Sequence, residues 1–356
     1  MIHRRQQHQP QATQHRRTLR IVWLAISVLL LGVVCVASLA VGSAQLPPAA
    51  VWEALTTRGA GALDGVNGPT SIDTVTVVSL RVPRTVLGVL VGAALAVAGT
   101  LIQGLTRNPL ADPGILGVNA GAAFAISIGV AAFGITRIDQ YLPLGFIGAL
   151  LGTALVYGIA ARGPDGASPV RLTLVGIALG AVFMGVSQTL ALLSATTFDR
   201  MRFWGAGTIA DRPEGTVVAI LPAIVIGLLL AFTTAPSMNA LALGDDLARA
   251  VGARVGVTRT VGLLAVTLLC GAATAAAGPI GFVGLMIPHA VRFVTGPDQR
   301  WILPFALILG PVLVLSADII GRLIVWPAEL QVGIVTVFIG APVLIWLVRR
   351  ARVRSL

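Results

Sequence analysis

Few residues in this chain have the types and spacing that covalent chemistry needs. No HExxH, no GxSxG and no cluster of carboxylates occurs, so a zinc protease, a serine hydrolase and acid–base catalysis are all without their parts. Cys35 and Cys270 each sit inside an apolar run and read as small buried apolar residues. The histidines of HRRQQHQPQATQHRR have irregular spacing, and His289 follows Pro288 alone; neither pattern predicts a metal site. All 25 basic residues are arginine and none is lysine. A phosphate-binding loop requires GxxxxGK[ST], so the chain holds no ATP of its own by that motif, and no cofactor is expected. What remains is mechanical. Between Asn239 and Arg259 the chain reads NALALGDDLARAVGARVGVTR, a short charged helix between two greasy runs. Gly244, Asp245 and Asp246 suit a helix start, because Asp caps free N–H groups and matches the positive dipole end. Leu247, Ala250 and Val251 then share one face, and Gly252 ends the helix. Such a face either packs on its own chain or docks onto a partner.

The surrounding elements must cross a bilayer. The 356 residues are 56% hydrophobic and 11% charged, with a mean hydropathy of +0.90; a soluble domain carries about 25% charged residues. Long uncharged runs also exclude a nucleic-acid module despite the net charge of +11. Nine uncharged stretches follow one another: 21–52, 85–106, 113–136, 140–161, 172–198, 215–244, 260–291, 301–317 and 330–348. Each except 260–291 reads as one pass of about 20 residues. The exception is too long for one helix and is broken by AAAGPIGFVG, where Gly278, Pro279 and Gly281 interrupt it. Two passes there, the second short, bring the total to ten, and the fold class to an all-α polytopic membrane protein. With both termini inside, 17 arginines lie inside and 8 outside, as the positive-inside rule requires. The apolar run 21–44 exceeds the 7–15 residues of a signal peptide, so it is read as a retained pass. Residues 1–20 are expected to be a disordered basic cytoplasmic N-terminus, 21–350 the ten-helix domain with 236–259 as its cytoplasmic charged segment, and 351–356 a cytoplasmic tail.

Several long stretches carry a resemblance. They are RVPRTVLGVLVGAALAVAGTLIQGLTRNPLADPGILGVNAGAA (81–123), LVGIALG (174–180), FWGAGTIA (203–210), AGPIGFVGLMIPHAVRF (277–293), and ADIIGR with ELQVGIVTVFIGAPVLIWL (317–347). In this order they are similar to the FecCD-type permeases of iron-siderophore and cobalamin importers, over about 51–350. Gln331 departs from the family, which usually has proline there, and the Arg/His/Gln-rich N-terminus is not explained by it.

The resemblance implies a type II ABC importer permease architecture: ten helices per subunit and two subunits, identical or homologous, around one path. It implies a pair of separate ATP-binding subunits, a substrate-binding (lipo)protein and a ferric-siderophore ligand, with cobalamin or haem as alternatives, in the cell membrane. It makes Leu243, Gly244, Asp245, Asp246, Leu247, Ala248, Arg249, Ala250 and Gly252 the segment coupled to the ATPase. It also makes Arg81, Arg84 and Arg322 the outer arginines that meet acidic residues of the binding protein, where their charges steer docking. For Arg81 and Arg84 the competing reading is snorkelling to headgroups, and for Arg322 an ion pair with Asp318 one turn earlier. The loop RNPLADPG (107–114) reads as a tight connector or a secondary ATPase contact. Gly88/Gly92 and Gly176/Gly180 have helix-packing spacing. Gln103, Asn119, Gln188 and Ser187 are candidate path-lining residues, each equally able to bond a neighbouring helix. A secondary transporter would carry acids deep in the bundle; Asp318 is the one acid inside a span and lies toward its outer end.

Overall fold

In the computed structural model the described residues are 9–42, 46, 47, 49, 51–54, 56, 76–135, 137–162 and 168–353; of the termini, 1–8 and 354–356 lie outside them. The long helices are α1 (Gln9–Ala40), α2 (Val82–Thr106, entered through a π-helical turn Thr76–Arg81), α3 (Val118–Phe133), α4 (Ile138–Ala161) and α5 (Pro169–Leu193). A short α6 (Ala195–Gly205) leads to α7 (Thr216–Leu241), and a single turn and a half, α8 (Asp245–Ala250), leads to α9 (Val255–Ala277). The chain ends with α10 (Val283–Thr295), α11 (Gln299–Ile324) and α12 (Val332–Val353). Among the described residues, seven helices are long and apolar enough to cross a membrane, and α3, α10 and the 332–346 part of α12 are shorter apolar helices. Together they account for the ten expected passes. The break in 260–291 falls where Gly278 adopts φ 76° and no helix resumes until Val283.

α1 differs from expectation at its start. It is already helical from Gln9, so 9–20 extends the pass rather than lying disordered. The run Gln-Pro-Gln-Ala-Thr-Gln-His-Arg-Arg places proline in the first turn and mostly helix-compatible residues after it. Arg20 then fastens the helix, donating to the Thr295 carbonyl at 2.6 Å and lying over the Trp301 ring.

The core is built on α2 and α9. In their apolar windows 83% and 78% of residues are buried, against 22% in α5. Burial all round requires small side chains. A Cβ on Gly99 would overlap the Gly284 carbonyl of α10, and one on Gly92 would overlap the backbone of Gly310 and Pro311 in α11. Gly88 and Gly176 are packed in the same manner, against Leu315 and the Ile115 carbonyl, whereas Gly180 has room. Gly99→Val is therefore expected to lower stability by about 1–3 kcal/mol through overpacking. Thermal unfolding of the detergent-purified protein checks this, with Gly180→Ala as the tolerated control; equal melting of both variants would remove the close approach from the account.

Candidate functional site

The chemistry-bearing residues gather at the two ends of the bundle. At one end, α7 gives way to α8 through Gly244, whose φ of 107° suits glycine. The expected Asp cap is absent: the N-cap residue is Gly244 and makes no side-chain bond. Asp245 is instead used as an ion-pair partner. Its carboxylate pairs with Arg107, at the end of α2, and with Arg259, 2.9 Å away in the first turn of α9. Arg107 also donates from Nε to the Leu241 carbonyl at 2.9 Å. Asp246 pairs with Arg249 on the surface of α8. Ala248 is fully buried, and Gly252, at φ 84°, reverses the chain into α9.

The apolar face of α8 is not used internally. Leu243, Leu247 and Val251 are 61%, 59% and 66% exposed. Leu247 and Val251 are one turn apart along α8 and share a side, as expected; Leu243 is exposed in the turn before the helix, across Gly244, and Ala250 is exposed as well. The α8 unit thus combines uncovered greasy side chains with a carboxylate clamped to the two most buried helices.

At the opposite end the three expected docking arginines lie together, but mostly as internal ties. Arg81 is 5% exposed and donates to the carbonyls of Leu39 and Ala40. Arg322 is 1% exposed; it pairs with Asp318 and donates to the carbonyls of Ser38 and Val41. The alternative reading of Arg322, an ion pair one turn back, is what the side chain does here. Arg84 is the more accessible, bridging Asp318 and Glu329 at 2.7 Å each. A cavity of about 290 Å³ opens over all three, bounded also by Asp211 and Arg212.

The path candidates divide. Gln103 is engaged inside the chain: it is 2% exposed, donates to the Gly284 carbonyl at 3.0 Å and accepts from Arg292 Nη1 at 2.6 Å. Asn119 is likewise engaged, accepting from Thr274 at 2.8 Å across α3 and α9. Ser187 is buried and bonds back to the Phe183 carbonyl of its own helix. Gln188 lies exposed on α5 and remains available. Gln103→Leu is expected to destabilise the protein by about 1–3 kcal/mol, because Arg292 loses its acceptor, whereas Gln188→Leu leaves melting unchanged. The reverse order of the two melting temperatures would return Gln103 to the path.

Two features were missed from the residue pattern. Arg107 was read as part of a connector, and its role is visible only once Asp245 is placed 138 positions away against it. No motif singles out Arg212. It is held by the loop after α6, donating to the Thr208 carbonyl at 2.8 and 3.1 Å.

The model of the FecCD transport family matches residues 29–350. The chain is 47% identical over 323 residues to the ferric enterobactin transport system permease protein FepD of Escherichia coli (strain K12), covering 91% of this chain and 93% of that protein. It is 42% identical to the iron(3+)-hydroxamate import system permease protein FhuB of Bacillus subtilis (strain 168), over 88% of this chain and 79% of that protein. A solved structure described as an inward-facing metal-chelate type ABC transporter superposes with a TM-score of 0.78 at 26% identity, covering 92% of this chain and 98% of that one.

Proposed function

The chain belongs to the FecCD transport family, and from that premise we propose that it is the multi-pass permease subunit of an ATP-driven importer of ferric siderophores. The ferric cargo of the similar permeases supports the ligand. The observation that carries the mechanism is α8, a helix clamped by Asp245 to α2 and α9 whose Leu247 and Val251, with Leu243 in the turn before it, are left uncovered. A separate ATPase subunit binds those side chains by burying them, a helix-in-groove contact. Its closure moves α8, and the clamp carries the displacement into the core. The opposite end, with Arg84 most accessible and Arg81 and Arg322 ordering the ground around it, receives a binding protein. The exposed α5 and α12 faces meet a second permease subunit, and Gln188 faces the path between them. The termini and α8 are placed on the cytoplasmic side of the cell membrane, a reading that the excess of arginine on that side supports.

The test is copurification. The chain, coexpressed with its ATPase subunit, is expected to bring it down, and Leu243→Ser/Leu247→Ser/Val251→Ser is expected to release it while still eluting as folded protein. Retention of the ATPase by that triple variant would remove α8 as the docking element.

A further inference from the structure

A cleft between α4 and α9 has no part in coupling, docking or the path. It encloses about 310 Å³ and is walled by Leu150, Ala154 and Tyr157 of α4 and by Leu263 and Leu264 of α9. Three threonines also border it, yet it asks for no polar ligand. Thr153 Oγ1 donates to the Ala149 carbonyl at 3.0 Å and Thr267 Oγ1 to the Leu263 carbonyl at 2.7 Å, so both hydroxyls are spent on their own helices. The third, Thr260, has its hydroxyl 3.4 Å from that of Tyr157, at the end of the cleft nearer α8.

The cleft is a wedge between antiparallel helices. Toward the outer end α4 and α9 touch. A Cβ on Gly271 would stand 3.3 Å from that of Ala149, and one on Gly145 would stand 3.5 Å from the Ala275 backbone. One turn further along α4 the cleft begins, and it widens past Thr153 and Thr267 to Tyr157 and Thr260. Its flank is open: Leu264 is 48% exposed, and Ala154 is exposed beside it.

Its depth suits one leaflet. From Leu150 to the end of α4 at Arg162 is about 18 Å of helix, and half of the hydrocarbon core is about 15 Å. Tyr157 stands about 7 Å short of that end, near the polar boundary that tyrosine favours.

Cations flank the mouth. Arg162 ends α4 and Arg254 precedes α9. Both are exposed, and neither has a carboxylate partner among the described residues. Arg259, in the first turn of α9, is by contrast taken by Asp245. A greasy wedge at acyl-chain depth, with two unpaired arginines at headgroup level, is complementary to a lipid that is apolar along its chain and negative at its head.

We infer that the cleft is a lipid site. One acyl chain of an anionic phospholipid, from the leaflet on the α8 side, lies between α4 and α9, and its headgroup meets Arg162 and Arg254. The inference rests on the membrane-spanning fold and is independent of the cargo.

The test is lipid binding to the full-length chain, delipidated in detergent and titrated with phosphatidylglycerol or with phosphatidylcholine of the same acyl chains, bound lipid being counted by native mass spectrometry. Wild type is expected to hold phosphatidylglycerol about tenfold or more tightly than phosphatidylcholine. Arg162→Gln and Arg254→Gln are each expected to weaken phosphatidylglycerol about fivefold, the weight of one arginine near an anionic headgroup, and to leave phosphatidylcholine unchanged. Ala154→Phe fills the wedge and is expected to weaken both lipids alike, by about tenfold, as two methylenes left unburied would do. Arg300→Gln, at the start of α11 on the same end, is the control and is expected to change neither. All four substituted side chains are exposed, so melting in lipid-free detergent is expected to match the wild type. Equal affinity of the wild type for the two lipids overturns the site. So does an Arg300→Gln loss as large as those of Arg162→Gln and Arg254→Gln, which would make the attraction diffuse. Wild-type affinity for both lipids in Ala154→Phe would seat the lipid elsewhere and overturn it as well.

Discussion

Asp245→Asn is expected to uncouple ATP hydrolysis from transport. In the assembled complex, ligand moved per ATP is expected to fall about tenfold, within the range by which residues along a coupling path alter it, while hydrolysis continues. The reason is geometric. α8 is flanked by Gly244 and Gly252, both at positive φ, and such positions bend readily. What stiffens the unit is the Asp245 carboxylate, which reaches Arg107 on α2 and Arg259 on α9. Arg107 in turn holds the Leu241 carbonyl at the end of α7. With asparagine, two cationic partners are lost and α8 follows the ATPase without pulling the core. The side chains involved are 20–38% exposed, so global stability changes little, by less than about 1 kcal/mol. Measuring transport and hydrolysis on the same proteoliposomes separates this from simple misfolding. A wild-type ratio in Asp245→Asn would show that the motion reaches α2 and α9 by another route.

Asp318→Ala is expected to cost about 3–5 kcal/mol, the penalty for leaving a buried cation without its anion. Asp318 and Arg322 are each 1% exposed, and Asp318 is shared with Arg84. Losing it frees Arg322, which also holds the Ser38 and Val41 carbonyls of the α1 end. The neighbouring Ser38–Thr85 hydroxyl pair would loosen with it. Glu329→Ala is the comparison. It leaves Arg84 paired with Asp318, and Glu329 is 26% exposed, so a cost below about 1 kcal/mol is expected. Thermal unfolding in detergent reads both. Equal losses in the two variants would mean that the buried half of the network contributes no more than its rim.

The passes were legible because bilayer-spanning segments exclude charge, and arginine marks their ends. Even the short α10 could be seen, since Gly278 and Pro279 interrupt a run too long for one helix. α8 was legible from its acids and closing glycine. Partners were another matter. A local pair such as Arg322 with Asp318 follows from a spacing of four, but nothing near Asp245 announces Arg107, and nothing near Gln103 announces Arg292. The Gln103–Arg292 contact is set by the close approach of α2 and α10 at Gly99 and Gly284, which no local spacing encodes. The start of α1 was misread for a related reason: polar composition at 9–20 indicated disorder, while an already nucleated helix extends outward at little cost.

The central claim is import of ferric siderophores through this chain, driven by a separate ATPase. The most direct measurement is uptake of radiolabelled iron from ferric siderophores, beside labelled haem and cobalamin, in iron-limited cells lacking the chain and in the same cells carrying it. The account predicts that siderophore-iron uptake is lost without the chain, returns with the wild type, and does not return with Asp245→Asn. Restoration of cobalamin or haem uptake alone, or full siderophore uptake with Asp245→Asn, would contradict it.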